Sequence, residues 1–184
     1  MFNRFAANPP VFISTVNPEV RVKVATNLLR DYGYFNGKVT YETLVDKKDS
    51  LKASLLYTVD MKNPYFIDTV YYQRFTPQTL KIMERGRRMS YITPGEQFNV
   101  VDLDEERSRI STLLRNRGYF YFRPDYMTYQ ADTTLVPGGH ISLRLIPLPG
   151  LPAAAQRSYY VGDASVYLSE RMARHLMTVS CTRI

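Results

Sequence analysis

Nine residues of this chain occur twice, nearly unchanged. Asn27-Leu28-Leu29-Arg30-Asp31-Tyr32-Gly33-Tyr34-Phe35 returns as Thr112-Leu113-Leu114-Arg115-Asn116-Arg117-Gly118-Tyr119-Phe120. Gly33 and Gly118 lie 85 residues apart, the spacing of a duplicated domain rather than of a short solenoid repeat. Each copy reads as a helix that stops at a glycine and enters an aromatic strand. Gly33 and Gly118 therefore stand where a left-handed residue ends a helix, and both are expected at positive φ. Upstream, Asn17 aligns with Asp102, and both are residue types that cap a helix N-terminus. A duplicated unit without a catalytic residue type at matched positions points to a binding or scaffolding module rather than an enzyme.

The same reading extends along the chain. The first helix opens at Asn17-Pro18 and carries Val20, Val24, Leu28, Ala25 and Leu29 as its apolar stripe. Two strands follow, Lys38–Leu44 and Leu51–Met61, with a charged turn between them. A third strand is expected over Tyr65–Tyr72. Thr76-Pro77 then opens a short helix toward Gly86. The second long helix is placed from Asp102, with Glu105 completing a capping-box-like pair and Leu103, Ile110, Leu113 and Leu114 as its buried face. Strands Tyr119–Gln130 and His140–Leu148 complete the unit, joined by a turn at Pro137-Gly138-Gly139. The boundaries implied are 1–62 for a first domain with an irregular start and 63–150 for a complete second one. Residues 151–184 read as a linker, the opening strand of a third domain and an unassigned tail, 169–184, expected to be poorly anchored.

Composition bounds the function. At 184 residues with 45% hydrophobic and 22% charged residues, the chain can bury cores without a metal or a disulfide. Cys181 is the single cysteine, and His140 and His175 stand at no metal-binding spacing, so neither a disulfide framework nor a metal site is expected. Asp102, Asp104, Glu105 and Glu106 form a dense carboxylate cluster. At a helix start, capping and the macrodipole explain such a cluster better than acid–base chemistry does. The net charge of +7 permits acidic partners without choosing one. Lys81, Arg85, Arg87 and Arg88 are the strongest basic cluster and a possible contact patch; a solvated helix end is the simpler reading. A basic α/β nucleic-acid-binding protein is the competing function, although the 15 tyrosines are scattered along strands. A purely structural spacer is the third.

The order strand–helix–helix–strand–strand, with Gly-Tyr-Phe where the second helix passes into the second strand, resembles a POTRA domain. POTRA domains are the periplasmic modules of the outer-membrane β-barrel assembly and translocation family, the BamA- and TamA-like proteins. The resemblance is carried by Tyr65-Phe66-Ile67, by Thr93-Pro94-Gly95-Glu96-Gln97-Phe98 and by Leu114-Arg115-Asn116-Arg117-Gly118-Tyr119-Phe120. It implies an α+β fold of tandem POTRA-like β-α-α-β-β domains, each a three-stranded mixed sheet with two helices on one face. It also implies a non-enzymatic, cofactor-free role in the periplasm at the outer membrane. Client polypeptides and accessory assembly proteins would be the partners, the parent chain attached to a β-barrel, with no nucleic acid or small-molecule substrate. Binding would proceed by β-augmentation at a sheet-edge strand. Lys38–Leu44 and Tyr119–Gln130 are the strands concerned, and Phe122, Tyr126, Thr128 and Tyr129 are the residues expected to flank a guest. The signal peptide and barrel of such a protein lie outside this chain, which reads as a periplasmic fragment.

Overall fold

The computed structural model describes residues 12–49, 51–134, 138–162, 165–167 and 178–180. After a short turn of helix, α1 (Ile13–Val16), come α2 (Pro18–Asp31), β1 (Lys38–Val45), β2 (Ala53–Asp60), β3 (Phe66–Tyr72), α3 (Pro77–Arg85), α4 (Val100–Arg115), β4 (Met127–Asp132) and β5 (His140–Pro147). The chain is α+β, as the resemblance implies. Two short strands follow, β6 (Ser165–Tyr167) and β7 (Thr178–Ser180), paired antiparallel. The rest of the tail 169–184 lies outside the described residues. Two compact units divide the chain, one of 1–71, 90–106 and 129–145, the other of 72–89, 107–128 and 146–184. They do not follow the repeat boundaries.

The first repeat is a helix and a hairpin. β1 and β2 pair antiparallel with Val39 opposite Val59, Tyr41 opposite Tyr57 and Thr43 opposite Leu55. That face carries the hairpin's buried residue, Val39. α2 packs on β1, turning Val22, Ala25, Thr26 and Leu29 inward to half-burial. The stripe expected to be buried is instead largely outside: Val20, Val24 and Leu28 are each more than half exposed. The apolar arc of α2 is wider than the hairpin can cover. Among the described residues this repeat has no third strand.

The second repeat has the full order β3-α3-α4-β4-β5, and its mixed three-stranded sheet runs β3-β5-β4. β3 and β5 are parallel, since Phe66 N–H bonds the Gly139 carbonyl (2.9 Å) and, three residues on, the Thr69 hydroxyl meets that of Ser142 (3.1 Å). Thr76 caps α3, its hydroxyl accepting from the Thr79 N–H, with Pro77 in the first turn as its fixed φ favours. In the first compact unit Ile67, Ile92, Phe98, Leu103, Ile141 and Leu143 form the core. In the second, Met83, Ile110, Leu114, Phe122, Met127 and Ile146 are buried.

Four local expectations are corrected. Asn17 precedes α2 in the left-handed region (φ 46°) and makes no side-chain cap; only its carbonyl accepts, from Val20 and Arg21. Asp102 is not a cap either. α4 begins two residues earlier, where Asn99 Oδ1 accepts the Val101 N–H (3.0 Å), and Asp102 sits inside the first turn. The strand expected over Tyr119–Gln130 starts only at Met127. Residues 119–123 form a turn, and Pro124–Tyr126 a 3-10 turn that begins with proline. The segment read as a linker is also anchored, since Ala153–Gln156 form a 3-10 turn with Ala155 buried.

Candidate functional site

The two copies of Gly-Tyr-Phe build a joint. Gly33 (φ 82°) and Gly118 (φ 98°) both end their helices at positive φ. Each glycine carbonyl then receives the N–H of a tyrosine that opens the following segment: Tyr65 onto Gly33 (2.9 Å) and Tyr159 onto Gly118 (2.7 Å). A Cβ at Gly33 would stand 3.0 Å from the Phe98 carbonyl oxygen and 3.2 Å from that of Tyr65. One at Gly118 would stand 2.9 Å from the Tyr159 carbonyl oxygen. The motif thus does more than stop a helix: it admits the backbone of the next segment. At the first joint Gln97 Nε2 also donates to the Tyr32 carbonyl (2.7 Å). Phe35 inserts edge-on against Tyr65 (5.1 Å between ring centroids) and tilts against Phe98 (5.2 Å). At the second joint Phe120, the counterpart of Phe35, stays 60% exposed beneath the Arg115 guanidinium, and Tyr121 packs edge-on to Tyr159.

The second feature is a three-stranded sheet whose two edges differ. On the outer side of β3, Tyr65 and Ile67 are bonded by the segment 95–98. Ile67 N–H reaches the Glu96 carbonyl (2.8 Å), Gly95 N–H the Ile67 carbonyl (2.7 Å) and Phe98 N–H the Tyr65 carbonyl (2.9 Å). β4 is the opposite edge. Leu148 N–H bonds the Tyr126 carbonyl (2.9 Å), so antiparallel alternation turns the main-chain groups of Thr128 toward β5 and those of Met127, Tyr129 and Ala131 outward. Arg107 Nη1 already occupies the Met127 carbonyl (3.2 Å). Of the outward-turned residues Ala131 is exposed, and the Asp132–Arg144 ion pair (3.0 Å) marks the far end of the edge.

The expected binding residues fall on different parts of this edge. Phe122 is buried, its carbonyl accepting from the Ser111 hydroxyl (3.1 Å), so it cannot flank a guest strand. Tyr126 lies in the 3-10 turn, edge-on to Phe122. Thr128 and Tyr129 are half-buried within β4. Of the basic cluster, Lys81, Arg85 and Arg88 are exposed. Arg87 pairs with Glu84 (3.0 Å) and stacks on the Tyr72 ring (4.9 Å).

Glu106 is the residue that sequence reasoning misplaced. It does not serve the helix start with its acidic neighbours but is fully buried, with Oε2 accepting the Tyr91 N–H (3.0 Å). Its position gives the signal: 103, 106, 110 and 114 share one helical face, and the other three are buried leucine or isoleucine. Among the described residues no group of three or more His, Cys, Asp or Glu could hold a metal ion. No helix there is long and apolar enough to cross a membrane.

No family model and no curated protein matches the chain. Solved structures similar to it include BamA from Haemophilus ducreyi lacking POTRA domains 1–3 (TM-score 0.47, 12% identity, 78% of this chain and 24% of that one). They also include Haemophilus influenzae BamA POTRA3-5 (TM-score 0.45, 13% identity, 79% of this chain and 63% of that one). The chain thus spans less than two thirds of either. At such scores the likeness carries no argument about activity or partners.

Proposed function

We propose that this chain is a periplasmic POTRA-like region of an outer-membrane protein assembly or translocation factor, with no catalytic role and no cofactor. It holds extended client polypeptides, or accessory assembly proteins, next to a membrane β-barrel carried by its parent. The observation that supports this most is the asymmetry of the three-stranded sheet. One edge is bonded at Tyr65 and Ile67 by residues 95–98, and the other, β4, turns the main-chain groups of the exposed Ala131 outward. Pairing through the main chain gives affinity with little sequence preference, which suits a factor that accepts many clients. The recurring glycine joint gives such modules a fixed way to follow one another.

Binding of a fluorescent, extended peptide of alternating polar and apolar residues tests the reading. The expected affinity is weak, on the order of 0.1–1 mM, because ordering the guest offsets most of the gain. Ala131→Pro removes an outward N–H from an edge strand, where proline is tolerated, and should abolish binding with the fold intact. Unchanged affinity in the Ala131→Pro protein would remove β4 as the site. A nucleic-acid function would instead show DNA affinity falling steeply with salt. The Arg87 guanidinium, already held by Glu84 and Tyr72, disfavours that alternative.

A further inference from the structure

Among the described residues the first repeat lacks a strand and a helix that the second repeat supplies from its own sequence. In the second repeat the hairpin strand β5 is flanked by β4 on one side and β3 on the other. In the first, β2 pairs with β1 and has no strand on its other side among the described residues. Asp46 N–H bonds the Lys52 carbonyl (2.9 Å), so alternation directs the main-chain groups of Ser54, Leu56 and Thr58 into the hairpin. Those of Leu55, Tyr57 and Val59 face the open edge.

The helices tell the same story. With the two glycines aligned, Val24 corresponds to Arg109 and Leu28 to Leu113. In the second repeat these are the positions that meet the end of α3. Arg109 Nη1 donates to the Gly86 carbonyl (3.0 Å), and a Cβ on Gly86 would lie 2.6 Å from Leu113. In the first repeat Val24 is 62% exposed and Leu28 55%. The open edge of β2 and the bare stripe of α2 thus continue, in the first repeat, the two interfaces that β3 and α3 occupy in the second.

We infer that the β2 edge and the Val20-Val24-Leu28 stripe form one docking surface. Its occupant is a polypeptide segment of the β3–α3 kind, an extended strand followed by an amphipathic helix. The strand runs parallel to β2, as β3 runs parallel to β5, and the helix closes over Val24 and Leu28. This surface is distinct from the β4 edge, and the inference stands apart from the reading given to that edge.

The test uses the full chain and, as probe, a peptide with the sequence of residues 64–88. It also uses a second protein in which that segment is fused through a flexible linker ahead of Met1. The peptide is expected to shift the amides of Leu55, Tyr57 and Val59 and the methyls of Val20, Val24 and Leu28. In the fusion, hydrogen exchange at those three amides should slow about tenfold or more. Val24→Asp with Leu28→Asp, at exposed positions that the fold does not need, should cancel both effects. Three results would overturn the inference. One is unchanged exchange in the fusion together with a silent titration. Another is shifts confined to β4. The third is a concentration-dependent shift of the β2 amides without peptide, which would make a second copy the occupant.

Discussion

Replacing Gly33 by alanine separates the joint from the mere helix stop. Any residue with a Cβ at φ 82° pays about 1–2 kcal/mol in backbone strain. At Gly33 the added carbon also lies 3.0 Å from the Phe98 carbonyl oxygen, 3.1 Å from Phe98 Cβ and 3.2 Å from the Tyr65 carbonyl oxygen. Two of these are main-chain atoms in a hydrogen-bonded pair, so the contact is relieved only by parting the segments. Losing the Tyr65–Gly33 bond costs about 0.5–1.5 kcal/mol, and loosening Phe35 from Tyr65 and Phe98 costs a similar amount. Gly33→Ala should therefore destabilise by about 3–4 kcal/mol in urea unfolding, with faster exchange at the Tyr65 amide. Gly150 is the control: its φ is 79° and no atom of the described residues lies within 4 Å of an added Cβ. Gly150→Ala should cost only the torsional part, about 1–2 kcal/mol. Equal losses in the two variants, with Tyr65 exchange unchanged, would refute the joint.

Further outcomes follow from single contacts. Glu106→Ala should cost about 2–4 kcal/mol, because it empties a fully buried site and leaves the Tyr91 N–H unpaired; thermal unfolding against wild type measures it. Asn99→Ala should cost about 1 kcal/mol through the lost cap of α4, and Asn17→Ala distinctly less, a ranking that denaturant midpoints read directly. Tyr57→Phe should be neutral or stabilising by up to about 1 kcal/mol, since the Tyr57 hydroxyl is shut from solvent with no hydrogen-bond partner among the described residues; the same unfolding assay shows the sign.

What the residues revealed in advance, and what they did not, divides along physical lines. The glycine stops were legible because a left-handed residue after an apolar helix is a local requirement that two copies state twice. The β1–β2 hairpin was legible because Val39, Tyr41 and Thr43 meet Leu55, Tyr57 and Val59 on one face. The strand start at Met127 was missed because the aromatic run Tyr119–Phe122 favours strands, while Pro124 three residues before the true start went unused. Glu106 was misread because its neighbours are acidic in sequence, whereas helical spacing sets it among leucines and isoleucine. The outward turn of Val20, Val24 and Leu28 could not be read locally at all, since it depends on how much of α2 the hairpin covers. The expected strand ran past the edge it was meant to describe: β4 is the edge strand of its sheet, whereas Phe122 lies outside it and serves the core.

The central claim, that β4 is where an extended guest pairs, is tested most directly by residue-resolved hydrogen exchange with and without an extended alternating peptide at millimolar concentration. Protection should rise at the outward amide of Ala131 and leave the inward amide of Thr128 as it was. Protection confined to α3 and the Lys81–Arg88 segment, with Ala131 exchanging as in the free protein, would contradict it.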